Sequence, residues 1–189
     1  MAGRLSLGRK GNTRQPRAAW DSAARISSVE AMTAPPHRPI HEVGAACDSA
    51  GMRVTERDVD LIPPGNLHVP RREFGALWAA AEIRSQEQGA NGVTDYAAGA
   101  VAITCRWLAV ATVEGPGGRR RPASAPITST SRTAQEELIE AEYLAAETLA
   151  ARPAPPDWLA RQPGYLAAVC ATLRWAWRGV GSAPVLADH

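Results

Sequence analysis

Proline and glycine punctuation marks where most helices of this chain are expected to begin or end. Pro70 stands just before "RREFGALWAAAEIRSQEQ" (71–88), and Gly89 stands just after it. Proline is tolerated at a helix start and glycine ends one, so the bracket predicts a helix over 71–88. Phe74, Leu77, Trp78 and Ala81 fall at i, i+3, i+4 and i+7 and give it one apolar stripe.

The same reading finds three more helices. Thr94 or Asp95 can cap a segment over about 95–113, which is apolar on nearly all sides. Such a helix sits centrally in a bundle. "TAQE" at 133–136 fits a capping box, Thr133 to the N3 amide and Glu136 back, opening a helix over about 134–151 that Pro153 ends. The last helix runs over about 164–178, with Gly179 as its stop and Leu166, Val169, Cys170, Leu173 and Trp177 as its stripe. "DWLARQ" before it is about one turn.

The expected fold is therefore all-α. It is a four-helix bundle-like domain over 70–179, with a long flexible loop (114–133) between two helical pairs. Residues 1–35 read as a disordered basic tail, with Met32 and Met52 as alternative starts. Residues 36–69 are poorly defined, with a short strand or a helical turn capped by Thr55. Residues 180–189 read as a frayed tail.

Composition narrows the packing. The chain has 37 alanines and one phenylalanine, so the helices should pack closely around its six tryptophans. Twenty arginines against one lysine follow no folding rule and point to a GC-rich bacterial genome. The net charge of +2 is patterned: +4 over 1–31, −3 over 32–114, +4 over 115–133 and −3 over 134–189. Positive charge thus falls in the segments expected not to fold.

Several chemistries lack their residues. "HRPIH" places His37 and His41 at i, i+4, but Pro36 and Pro39 break the helix that a metal site would need. No HExxH, C-x-x-C or G-x-S-x-G occurs, and no histidine lies within 71–178. No metal, cofactor or catalytic residue is expected. Glu136, Glu140 and Glu147 share a helix face and read as a solvated charged surface. Cys47, Cys105 and Cys170 read as reduced, buried thiols of a cytoplasmic protein. Residues 96–113 are the one membrane candidate, and Arg106 past their middle argues for a buried helix.

Two binding readings remain. Trp175 and Trp177 are two residues apart, about 200° around a helix axis. Trp177 belongs to the buried stripe, so Trp175, flanked by Arg174 and Arg178, either packs within the chain or is a candidate surface for a protein partner or self-association. A regulatory or accessory role in protein binding is the first expectation. The alternative is a nucleic-acid-associated regulator or mobile-element protein. Its basic arms would be Arg4, Arg9, Lys10 and Arg14, with Arg119, Arg120 and Arg121 from "GPGGRRRP". That run follows a helix and ends in Pro122, so it is no phosphate-binding loop of the P-loop kind. An enzyme with dispersed site residues is a third reading.

Overall fold

Helix α1 (Glu56–Asp60) opens at a complete capping box. The Thr55 hydroxyl accepts from the Asp58 amide, and the Asp58 carboxylate accepts from the Thr55 amide. A 3-10 turn at Pro64–Asn66 follows and leads into α2 (Arg71–Ala90). This is a computed structural model, and it describes residues 53–115 and 117–186. The basic tail over 1–35, and 36–52 after it, lie outside the described residues. Residues 53–69 join the fold: Ile62 and Asn66 are buried, and the Asn66 amide donates to the carbonyls of Leu108 (2.8 Å) and Ala134 (3.3 Å).

The stripe expected on α2 is the buried one: Phe74, Leu77, Trp78 and Ala81. The expected stop is displaced. Gly89 lies inside the helix, and the chain turns at Gly92, whose φ of +71° is a left-handed conformation that glycine adopts without a Cβ clash. Asp95 then caps α3 (Tyr96–Leu108), accepting from the Ala98 amide at 2.9 Å. Arg84 of α2 reaches the same carboxylate at 2.6 Å.

Helix α3 is central, packed against α2 on one side and α6 on the other. It is shorter than its apolar run. It ends at Leu108, and Thr112–Glu114 form strand β1 in place of the expected last turn. Val110 marks the change, with φ at +56°, where β-branched residues are rarely found. Beyond it, Thr112, Val113 and Glu114 alternate exposed, half-buried and exposed, a strand period rather than a helix period.

Helix α4 (Glu136–Ala150) begins two residues later than expected, and no capping box forms at Thr133. Ala134 is buried and its carbonyl is taken by Asn66, so Gln135 is the extended cap residue. A single turn, α5 (Asp157–Ala160), precedes α6 (Tyr165–Ala176). Gly164 (φ +80°) opens α6. Gly179 (φ +63°) closes it, sending its amide to the Trp175 carbonyl. Residues 180–186 form no helix or strand, and Ala183 and Leu186 are partly buried against the core.

The described residues are thus mostly helical, with one small two-stranded sheet. The long helices pack in the order α2, α3, α6, α4. Because α6 lies between α3 and α4, it is buried around most of its girth: Tyr165, Val169, Cys170, Thr172, Leu173, Trp175 and Ala176.

Candidate nucleic-acid interface

The segment expected to be a flexible loop is folded. Strand β2 (Arg120–Pro122) pairs antiparallel with β1, in the register Thr112 with Pro122, Val113 with Arg121 and Glu114 with Arg120. The Gly115 amide donates to the Arg119 carbonyl at 2.8 Å and extends the ladder by one pair. Gly117 (φ +82°) and Gly118 (φ +73°) make the turn. At the root, the Ala111 amide bonds the Arg106 carbonyl and the Ala123 amide bonds the Ala111 carbonyl, both at 2.9 Å. The hairpin is therefore fixed to the C-terminal end of α3.

The stretch after it is held by a buried carboxylate. Ala123, Ala125, Pro126 and Ile127 are buried, which obliges the local amides to find acceptors. Glu142 of α4, only 1% exposed, accepts from the Ile127 amide and, at 3.2 Å, from the Thr128 amide. The Tyr165 hydroxyl donates to the Pro126 carbonyl at 2.9 Å. The loop closes on itself through the Ala125 amide to the Thr130 carbonyl, with Ser129 left-handed at φ +57°. The Trp107 indole of α3 donates to the Arg132 carbonyl at 3.2 Å. Hairpin and loop are thus both tied to the same end of α3.

Desolvation by burial pushes the Glu142 carboxyl above its ordinary range, against the opposing effect of the Thr128 and Ile127 hydrogen bonds. Burial also raises Tyr165, and the Glu142 charge adds to it. An acid raised above its unfolded value of 4.5 holds more protons folded than unfolded between the two values. Stability therefore falls as pH rises through that interval, and the contribution is fully lost above the folded value. Glu142→Gln keeps an acceptor for the amides and removes the titration. We expect its melting temperature to fall less than that of the parent as pH is raised from 4.5 to neutrality. Parallel profiles by thermal circular dichroism would refute the assignment.

Arg119, Arg120, Arg121 and Arg132 are all exposed. None of the four forms an ion pair among the described residues. The other basic residues named for this role, Arg4, Arg9, Lys10 and Arg14, lie outside the described residues.

The expected partner surface on α6 is arranged differently. Trp175 is 5% exposed and stacks on Phe74 of α2, centroids 6.4 Å apart and planes 12° apart. It offers no surface, because the side of α6 opposite Trp177 is also covered. Arg174 and Arg178 are exposed but engaged: Arg174 bonds Glu147 at 2.7 Å, and Arg178 bonds Glu140 while lying over the Tyr143 ring. Trp177 donates to Glu140 at 3.0 Å and stacks on His68. Glu140 and Glu147, expected on a solvated face, thus tie α4 to α6.

Glu142 and Tyr165 were not singled out in the sequence. A signal for Glu142 existed, because it is flanked on its helix by Ile139 and Ala146, both fully buried. A carboxylate in an apolar stripe is an anomaly that asks for a partner.

Among the described residues, no group of three or more His, Cys, Asp or Glu could hold a metal ion. Nor is any helix among them long and apolar enough to cross a membrane. No protein-family model, curated protein or solved structure matches the chain.

Proposed function

We propose that this protein works by binding, and that its arginine hairpin engages nucleic acid. The observation that carries the reading is the state of Arg119–Arg121: three consecutive exposed guanidinium groups on a folded ribbon, none of them in an ion pair among the described residues. Arginines without an internal partner are free to replace the counterions of a phosphate backbone. The acidic body, −3 over 134–189, keeps contact confined to the hairpin end. The four long helices act as a bundle-like scaffold that holds the ribbon out. The setting is a bacterial cytoplasm, and the role is regulatory or accessory.

A protein partner, or a second copy, on the α4–α6 face is the second reading. Leu144 favours it: 52% exposed, it sits on α4 between Glu140 and Glu147, whose partners are Arg178 and Arg174.

Fluorescence anisotropy of the full chain with a labelled 30-bp duplex, titrated at several salt concentrations, separates the two. The nucleic-acid reading expects affinity that falls steeply with salt. It also expects R119Q/R120Q/R121Q to flatten the slope of log K against log salt by about 1.8 to 2.7, near 0.9 for each of two or three phosphates neutralised. An unchanged slope in the triple variant, or no binding at 50 mM salt, overturns it and leaves the Leu144 face as the better candidate.

A further inference from the structure

We infer that the hairpin lies along the phosphates of a double helix and does not enter a groove to read bases. The inference rests on the reading just given and narrows it to a ligand class, duplex nucleic acid bound without sequence preference.

The argument starts from the register. Residues directly opposite each other on an antiparallel pair share a face. Glu114 faces Arg120, so one face of the ribbon is charge-balanced. Arg121 shares the other face with Val113, and Arg119 shares it with Gly115. That second face carries two positive charges and no acid. Val113, half-buried, roots it on the core, and Arg121 and Arg119 continue it into solvent.

Gly115 shapes this face. A side chain there would meet the Arg121 Nε at 3.5 Å and Cδ at 3.6 Å. The Arg121 stem therefore lies back across the bare glycine and holds its guanidinium close to the ribbon.

A two-stranded ribbon is narrow enough for the major groove, which is about 12 Å wide. Reading bases there needs long side chains that extend from one face to a groove floor about 8.5 Å deep, whereas on this face Arg121 lies back across the ribbon and Gly115 carries no side chain. Lying along a single phosphate strand, the Arg119 and Arg121 face meets the anions and Glu114 points away.

Four of the five described tryptophans offer no platform for base stacking, and the fifth, Trp158, is half-buried and edge-on to Tyr165. Trp78, Trp107, Trp175 and Trp177 are all turned into the core, each no more than 8% exposed. Sequence-tolerant binding to single strands relies on such aromatics. Charge alone favours the duplex, which presents a phosphate about every 1.7 Å of axis.

The test is anisotropy of the full chain with three 30-bp DNA duplexes of unrelated sequence and with a 30-mer of thymidine, at 50 mM salt. The expected result is affinities within about twofold among the duplexes and weaker binding to the single strand. Glu114→Gln should change duplex affinity by less than about twofold, because Glu114 points away from the phosphates; a gain near fivefold, about the size of one repulsion at 4 Å in water, would set Glu114 against a phosphate and overturn the inference. A tenfold preference for one duplex, or a single strand bound as tightly as the duplexes, overturns this inference while leaving the arginine reading intact. No binding to any of the four probes overturns both.

Discussion

Trp175→Ala lowers the melting temperature of the full chain by about 12 °C. The expectation follows from burial. At 5% exposure, with its ring stacked on Phe74, Trp175 joins α6 to α2 across the body of the fold. Truncating a buried tryptophan costs about 3–5 kcal/mol in lost transfer energy and residual cavity. For a chain of this size each kcal/mol is worth about 2–4 °C. Trp175→Phe retains an aromatic against Phe74 and should lose less than half as much. Thermal denaturation by circular dichroism decides it. A drop under about 3 °C for the alanine variant would mean that Trp175 is not packed as described, and would restore it as a partner surface.

The second large effect is expected at the α2–α3 interface. Glu82 is 2% exposed, and its carboxylate accepts from the Trp78 indole at 2.9 Å and from Arg106 Nε at 2.6 Å, with the Arg106 Nη2 on its other oxygen. Arg106→Ala leaves a buried carboxylate with only the indole. Breaking one side of a buried pair costs about 3–5 kcal/mol. The Arg106 side chain is 27% exposed, so water can partly replace it, and about 3 kcal/mol is the expected loss. Replacing both residues, E82M/R106M, should recover most of it, because no charge is then stranded. Arg174→Ala serves as the comparison. Its pair with Glu147 is 49% and 35% exposed, and its loss should be far smaller than that of Arg106→Ala. Equal losses for Arg106→Ala and Arg174→Ala in urea denaturation would contradict the buried-pair assignment.

Arg106 is the charge expected to argue against a span at 96–113, and α3, at 13 residues, is itself too short to cross a membrane. The charge that interrupts its apolar surface has a dedicated partner on the neighbouring helix, and the same pair bonds α2 to α3. Cys105 beside it is fully buried. Burial raises its thiol far above the ordinary range, with the Glu82 charge adding to the effect, so it stays protonated.

Local sequence was enough to place α2, the centre of α3, and α6. Each of those signals is carried within a few residues: a stripe at i, i+3, i+4 and i+7, an all-apolar girth, a cap at Asp95, a stop at Gly179. Local sequence was also enough to note that Trp175 and Trp177 point in different directions. It did not reveal that α6 has α3 on one side and α4 on the other, with Phe74 of α2 on Trp175. Orientation around an axis is local, whereas what covers each side belongs to the packing.

The hairpin escaped for the same reason. Nothing within 109–113 forbids helix, and the strand exists because Arg120–Pro122 returns to pair with it and Val110 takes a left-handed turn. The loop after it looks polar and unstructured in sequence. Its order comes from Glu142, Tyr165 and Trp107, which lie as far as 39 residues away along the chain. Helix periodicity is written residue by residue, while a strand, a buried carboxylate and an unpaired arginine are defined by their neighbours in space. That is why the sequence determined the helices of this protein, and only the tertiary structure decided which of its charges face solvent with nothing to bind.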